Sequence, residues 1–165
     1  MKVHDQTHPA MKKVADLIED MTVCMITAVD SHHLASRPMS PVLLDKDGAL
    51  WFLTSASAMQ GVRLESLTAA FSNESDASYV SMEGTAYLID DTPTKENLWS
   101  SFAKPWFPDG PESPDLRALK FVPRSVDYWD SPSSKVVRLF AIAASVLAGK
   151  PVGLGEHEHL TLGGR

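Results

Sequence analysis

The stretch Tyr79–Leu88, Tyr-Val-Ser-Met-Glu-Gly-Thr-Ala-Tyr-Leu, carries the most regular pattern in this chain of 165 residues. Its apolar or small residues alternate with tyrosine and polar residues, which is the period of two expected of a β-strand with one buried face. Gly84, in the middle of the stretch, predicts a bulge or bend, a device that curls a sheet toward closure. The pattern therefore predicts a long, curved strand.

Shorter segments on both sides of this strand predict the remaining elements. Runs bounded by turn residues predict strands at Val23–Val29, Leu34–Leu44, Ala49–Thr54, Ala69–Asn73 and Leu119–Trp129. Capping and apolar spacing predict helices at Ala10–Met21, from a cap at Ser55–Ser57 to about Ser66, from Thr92 to about Lys104, and at Ser134–Gly149. Because most strands follow one another without a helical crossover, we expect an α+β fold with an antiparallel sheet closed as a small barrel.

Two of these helices carry further expectations. In the first, Thr92 is the predicted N-cap, Pro93 is the first helical residue, and the buried side holds Leu98, Trp99 and Phe102. The second, Ser134–Gly149, is apolar on nearly every side, so a single sheet face cannot cover it. A helix of this kind in a small protein packs between its own sheet and a second subunit, which predicts a homodimer.

Size and charge limit the classes of function. The length fits one domain, with residues 1–150 forming it and the glycine-rich residues 151–165 expected to be a mobile tail. The formal net charge of −6 is opposite in sign to that of a nucleic-acid-binding surface. The N-terminus has no stretch resembling a signal peptide, and the longest apolar run is too short to cross a bilayer. We therefore expect a cytoplasmic protein without nucleic-acid or membrane partners.

Several reactive residue types have ordinary structural explanations. The single cysteine, Cys24, lies in an apolar run and is predicted to be a core residue. His157 and His159 fall within the expected tail and have no cysteine partner, so a solvated tail is favoured over a metal site. Asp90 and Asp91 mark the end of a strand. No residue is identified as catalytic.

Two segments carry candidate binding residues. Arg37 lies inside a strand-like segment and precedes Pro38, which fits only at an edge or bulge of a sheet. Its guanidinium could hold a phosphate through two parallel hydrogen bonds, or it could pair with a carboxylate at the surface. The segment Trp51–Ser55 ends in two hydroxyls just before a predicted helix, which suits an anion or a ring carbonyl, or equally a helix cap.

Five motifs in order resemble the FMN-binding split-barrel superfamily of pyridoxamine 5′-phosphate oxidase, and its general stress protein subgroup in particular. They are Ser36-Arg37-Pro38-Met39, Leu50-Trp51-Phe52-Leu53-Thr54-Ser55, Val80-Ser81-Met82-Glu83-Gly84-Thr85-Ala86, Trp106-Phe107-Pro108-Asp109-Gly110 and Asp127-Tyr128-Trp129-Asp130. The resemblance covers about Val14 to Trp129. It implies a six-stranded antiparallel split β-barrel with flanking helices, which dimerises and binds FMN in clefts between its subunits.

The resemblance also implies roles for individual residues. Arg37 would hold the flavin phosphate, with Pro38 and Met39 shaping the strand beside it. The ring and ribityl chain would be lined through backbone amides and hydroxyls by Phe52, Leu53, Thr54 and Ser55. Trp106 would cover the site from the partner subunit.

One departure from the family pattern concerns charge. A lysine commonly completes the phosphate clamp in the family, whereas this chain has Gln60 there. A neutral donor forms a weaker hydrogen bond to phosphate than a cationic one does, so the resemblance implies reduced affinity for FMN. Arg63, one turn later, could substitute for the lysine. FAD, heme or a deazaflavin are alternative ligands.

Three functions agree with these residues. The first is a flavin-dependent oxidoreductase, in which the flavin carries the electrons. The second is a non-catalytic flavin-binding or flavin-storage stress protein. The third, suggested by Gln60, is a barrel that has lost flavin and serves as an interaction module.

Overall fold

The computed structural model describes residues 1–131, 142, 144–150, 153 and 155–162. These residues form one mainly antiparallel sheet with two complete α-helices, three short 3-10 turns and further helical residues at 142 and 144–148. The strands are β1 (Lys2–Val3), β2 (Cys24–Asp30), β3 (His33–Met39), β4 (Leu43–Leu44), β5 (Leu50–Ser55), β6 (Val62–Asn73), β7 (Ser78–Ile89), β8 (Leu116–Asp130) and β9 (Glu156–Thr161). The helices are α1 (Pro9–Ile18) and α2 (Thr92–Leu98), and the 3-10 turns are Ser57–Met59, Ser101–Ala103 and Gly110–Glu112.

Six long strands form the body of the sheet in the order β5-β8-β7-β6-β2-β3, and all of their pairings are antiparallel. The short β4 and β1 continue beyond β5, with β1 parallel to β4. Within the described residues the path does not close on itself, so β3 and β1 are its two ends, and the closed barrel expected from the order of elements is corrected to an open one. The predicted α+β class with six antiparallel strands is confirmed, and three short strands add to it.

The strand β7 has the burial pattern that its sequence predicts. Val80, Met82 and Ala86 are at most 3 % exposed. The register of β7 against β8 shifts between Glu83 and Gly84, which confirms the predicted bulge. A Cβ at Gly84 would lie 2.2 Å from the carbonyl oxygen of Val122, so this bulge requires glycine. Leu88, by contrast, is 38 % exposed instead of facing the core.

The core lies between α1 and the inner face of the sheet. α1 buries Met11, Val14 and Ile18, which recur at helical spacing. Cys24 is 1 % exposed in the same core, and burial raises the pKa of its thiol to about 12. The interpretation of Cys24 as an inert core residue is confirmed.

The helical predictions in the middle of the chain need correction. The helix expected from Ser55 to Ser66 is only a 3-10 turn, and β6 begins at Val62 because the sequence from there alternates in the manner of a strand. The N-cap of α2 is Asp91 and not Thr92, since the Asp91 carboxylate accepts the Thr94 N–H at 2.9 Å. α2 ends at Leu98, and Phe102 is 86 % exposed.

The C-terminal region also differs from expectation. Residues 156–161 are not a mobile tail, because β9 pairs with β8 from Ser125 to Asp130. β8 is long enough that its first half pairs with β5, and β9 covers the same edge of its second half. Most of the helix predicted at Ser134–Gly149 lies outside the described residues; residues 142 and 144–148 are helical. No helix in the described part of the chain is long and apolar enough to span a bilayer.

Candidate functional site

Arg37 lies on the edge strand β3, opposite Ile26 of β2. Residues paired across a sheet share a face, so its side chain lies on the same side as the buried Ile26 and Ala28. Pro38 faces the other side and is exposed, and an edge strand tolerates its missing N–H. Met39 ends the strand half-buried, and its carbonyl accepts a hydrogen bond from Cys24 Sγ at 3.6 Å.

The Arg37 guanidinium forms an ion pair with the carboxylate of Asp30, the last residue of β2. The side chains are 33 % and 20 % exposed, so this is a part-buried pair and not a fully solvated one. The sequence leaves open whether Arg37 pairs with a carboxylate, and the structure shows that it pairs with Asp30. Asp30 is not among the residues that the sequence predicts to bind a ligand.

The turn after β5 is held by side-chain hydrogen bonds. The Ser55 hydroxyl accepts the Ala58 N–H at 3.1 Å, while the N-cap position of the 3-10 turn is Ala56 and not one of the predicted serines. Ser57 donates its N–H and its hydroxyl to the two carboxylate oxygens of Asp115 at 3.0 and 2.7 Å. The hydroxyl bond is the main reason that the pKa of Asp115 lies below its usual range. Asp115 therefore acts as a fixed anchor for the turn.

This turn leads directly to Asp30. The Ser31 N–H donates to the Gly61 carbonyl at 3.0 Å, and Gly61 has a φ of +82° that glycine adopts readily. A Cβ at Gly61 would lie 3.5 Å from Asp30 Oδ1, so the turn and the carboxylate are neighbours. Gln60, next to Gly61, is exposed. We refer to Asp30, Ser31, Arg37, Gln60 and Gly61 as the Arg37 corner.

β5, which lies just before Gln60 in the sequence, is paired along only part of one of its edges. The Val42 N–H donates to the Trp51 carbonyl at 2.8 Å, and the pairing with β4 reaches no further than Leu43. Backbone groups of alternate residues point to the same side of a strand, so those of Leu53 and Ser55 face this edge, with no strand partner among the described residues. Free N–H and C=O groups at a sheet edge can bind a polar ring.

Phe52 and Thr54 are placed differently from Leu53 and Ser55. Their side chains are buried, at 0 % and 7 % exposure, and their backbone groups face β8 by the same alternation. These two residues support the strand from the inside. The half-buried side chains of Leu53 and Ser55 lie on the opposite face.

Trp106 lies in the loop after α2 and leaves 75 % of its surface exposed. Its backbone is fixed, since the Trp106 and Phe107 N–H groups both donate to the Ala103 carbonyl at 3.1 Å. The structure thus places Gly61 of the turn after β5 beside Asp30, and Arg37 pairs with the same carboxylate. Within one chain it leaves the Trp106 indole largely without cover.

The two histidines near the C-terminus lie on β9. His159 Nδ1 is 2.8 Å from Asp127 Oδ1, and the His157 ring stacks on Trp129 with centroids 4.8 Å apart. The described residues contain no group of three or more His, Cys, Asp and Glu side chains arranged to hold a metal ion. These contacts dock β9 on β8.

An open groove of about 610 Å³ lies away from the Arg37 corner. The segment after α1, the start of β2 and the end of β6 line it. None of the residues predicted from the sequence to bind a cofactor lines this groove. The residues considered for cofactor binding are therefore those of the Arg37 corner and the β5 edge.

The six-stranded sheet, open between its ends and carrying an arginine on its edge strand, defines a split-barrel protein. The sequence model of the family described as "Pyridoxamine 5'-phosphate oxidase like" matches residues 9–152. The chain belongs to this family. The resemblance found in its motifs, and the fold which that resemblance implies, are confirmed.

Individual proteins and solved structures are similar to this chain. Protein bli-3 of Neurospora crassa is 27 % identical over 164 residues, covering 89 % of this chain and 78 % of that protein. A crystal structure provisionally assigned as general stress protein 26 from Jannaschia sp. CCS1 has a TM-score of 0.74 at 27 % identity, covering 93 % of this chain and 98 % of that one. The general stress FMN/FAD binding protein of Xanthomonas citri has a TM-score of 0.62 at 24 % identity, covering 75 % and 90 %.

Proposed function

We propose that this chain binds FMN, with FAD as the alternative, and places the flavin phosphate at the Arg37 corner. The observation that carries the proposal is a part-buried guanidinium on the inner face of an edge strand, next to the turn that follows β5. Membership of the pyridoxamine 5′-phosphate oxidase-like family and the FMN/FAD binding described for the Xanthomonas citri protein support it.

The residues present fit such a ligand. Arg37 can hold phosphate through two parallel hydrogen bonds, and Gln60, an exposed neutral donor, precedes Gly61 in the turn beside Asp30. The open edge at Leu53 and Ser55 offers backbone groups to the polar atoms of the ring and ribityl chain. The bound flavin would supply the redox chemistry, while the chain supplies binding and orientation.

We infer that the proposed flavoprotein acts as an oxidoreductase, and one observation favours a non-catalytic flavin-binding protein as the second candidate. Two carboxylates of this region are engaged: Asp30 pairs with Arg37, and Asp115 anchors Ser57. The lowered pKa of Asp115 keeps it ionised at neutral pH, so it is a poor proton donor. Steady-state turnover of a reduced nicotinamide with an electron acceptor separates the two candidates, because the second predicts none.

We further propose that the protein is a homodimer with the flavin site at the subunit interface and Trp106 covering it from the partner. The exposed apolar side chains support a partner surface: Leu34, Phe102, Trp106, Val146 and Leu147 are each at least 74 % exposed. Light scattering coupled to size exclusion tests this proposal. A particle of about twice 18.0 kDa is expected, and a monomer at all concentrations would contradict it.

The direct test of flavin binding begins with an absorbance spectrum of the purified protein, followed by denaturation and chromatography of any released flavin. We expect flavin bands and about one FMN or FAD per chain, either as purified or after adding flavin. Arg37→Ala should weaken FMN binding about tenfold, as expected from losing charge-assisted hydrogen bonds. Arg124→Ala is the matched control, because Arg124 also pairs with a carboxylate but lies on an exposed face. A protein that takes up no flavin would favour the interaction module.

A further inference from the structure

The Asp30 carboxylate lies against the Arg37 guanidinium, at the position that a bound phosphate would need. The Asp30 carboxylate contacts Arg37 Nη2, and both side chains are more than half buried. Solvent screens such a pair less than it screens a pair at the surface. Because the formal charges of Asp30 and Arg37 cancel and Gln60 adds none, the Arg37 corner offers an anion no net positive charge.

The backbone fixes Asp30 in this position. The pairing of β2 with β6 changes register between Ala28 and Asp30. Ser31 then adopts a positive φ of 56°, and its N–H donates to the Gly61 carbonyl at 3.0 Å. The Ser31 hydroxyl also donates to Asp30 Oδ1 at 3.4 Å. A phosphate that reaches Arg37 therefore meets the Asp30 carboxylate as well.

We propose that Asp30 is a specificity-determining residue that competes with the ligand's phosphate for Arg37, so that the site discriminates among flavins by the charge of their phosphate. This inference rests on the flavin-binding function proposed above. A terminal phosphate monoester, as in FMN, carries a charge of about −1.5 to −2 at pH 7. Each phosphate of the diphosphate in FAD carries a single negative charge, and riboflavin has no phosphate. Like-charge repulsion from Asp30 thus opposes FMN most and riboflavin least.

The test titrates flavin-free wild type, Asp30→Asn and Glu83→Gln with FMN, FAD and riboflavin, following flavin fluorescence. Asp30→Asn should tighten FMN about tenfold and FAD about threefold, as expected from removing a charge that faces another charge in a part-buried site. It should leave riboflavin unchanged. Glu83→Gln removes the same charge from an Arg–carboxylate pair on an exposed face and should change none of the three affinities.

The outcomes separate this inference from the proposed function. If wild type binds FMN and Asp30→Asn binds it equally well or more weakly, Asp30 orients Arg37 instead of competing, and the inference is overturned while flavin binding stands. Equal tightening of all three flavins would also overturn it. Tight FMN binding that appears only in Asp30→Asn supports the inference, and failure of every variant to bind any flavin overturns both. Asp30→Ser provides a second neutral side chain should the asparagine variant not fold.

Discussion

The sheet carries two arginine–carboxylate pairs in different surroundings. Arg37 and Asp30 lie on the same side of the sheet as core residues, with side chains 33 % and 20 % exposed. Arg124 and Glu83 pair at 3.2 Å beside the β7 bulge, with side chains 50 % and 56 % exposed. The ion-pair chemistry is the same, but solvent access and neighbours differ. Exposed pairs contribute at most about 1 kcal/mol, whereas changing one member of a part-buried pair has larger effects.

An arginine paired with a carboxylate does not by itself mark a site. Arg37 is distinguished by its position on an edge strand, beside the turn that follows β5 and the unpaired part of the β5 edge. Arg124 lies on a strand that is paired on both sides along most of its length. Only the first environment offers a ligand further donors.

The largest expected effect is on stability, from a substitution at the β7 bulge beside the Arg124–Glu83 pair. Gly84→Ala places a Cβ 2.2 Å from the Val122 carbonyl oxygen, and the other near atoms are also backbone atoms of Val122 and Pro123, which cannot shift easily. We expect the free energy of unfolding to fall by about 3 kcal/mol or more in urea titrations. Gly110→Ala is the control, because a Cβ there meets nothing within 4 Å and costs only about 1 kcal/mol for its positive φ. Equal losses for the two variants would show that the bulge is not tightly packed.

Adding one positive charge near each of the two arginine–carboxylate pairs tests whether only the Arg37 corner affects FMN binding. Gln60→Lys turns the neutral donor at the Arg37 corner into a cationic one, and charge-assisted hydrogen bonds are about twice as strong. We expect FMN to bind about tenfold more tightly, as measured by fluorescence titration, and the gain to shrink at high salt. Ser66→Lys adds the same charge to an exposed part of β6 near Glu83 and should have no effect. An equal gain in both variants would point to net charge instead of the corner.

A smaller effect tests whether a buried hydroxyl that forms a hydrogen bond contributes more to the free energy of unfolding than an exposed one. Tyr128, 4 % exposed on β8, donates its hydroxyl to Glu158 of β9 at 2.6 Å. Tyr128→Phe should lower the free energy of unfolding by about 1 kcal/mol at pH 8. Tyr79→Phe is the matched control, because Tyr79 is 42 % exposed, and it should change stability little. No difference between the two variants would show that β9 contributes nothing through this bond.

The pH dependence of the Tyr128 bond follows from the same contact. The hydrogen bond to Glu158 raises the pKa of Tyr128 to about 12, above the ordinary value of 10. A raised pKa means that folding stabilises the neutral phenol. The stabilisation is therefore complete below pH 10 and is lost as the pH rises through 12. The stability difference between wild type and Tyr128→Phe should narrow over this range in urea titrations.

Much of the fold could be predicted because local patterns determine it. The alternation in β7, the spacing in α1 and the edge position of Pro38 each depend on residues close in sequence. β9 could not be predicted in this way. Its residues Glu-His-Glu-His-Leu-Thr lack an apolar face, and it forms because the second half of β8 has an edge to pair with.

The candidate site was predictable only in part. Motif order located Arg37 and the Ser55 turn, whereas Asp30 and Asp115 act through partners in other elements. Asp30 could have been found by folding the Asp30–His33 turn into a hairpin, which brings the end of β2 beside β3. The partner of Asp115 lies 58 residues away, and no local signal indicates it.

Recognition of the flavin phosphate by Arg37 is central to the proposed function. The most direct measurement is the ratio of riboflavin to FMN dissociation constants for flavin-free wild type, Arg37→Ala and Arg124→Ala. We predict that wild type prefers FMN about tenfold, that Arg124→Ala keeps this preference, and that Arg37→Ala loses it. An Arg37→Ala variant that still prefers FMN tenfold would contradict the claim, since the phosphate would then be held elsewhere.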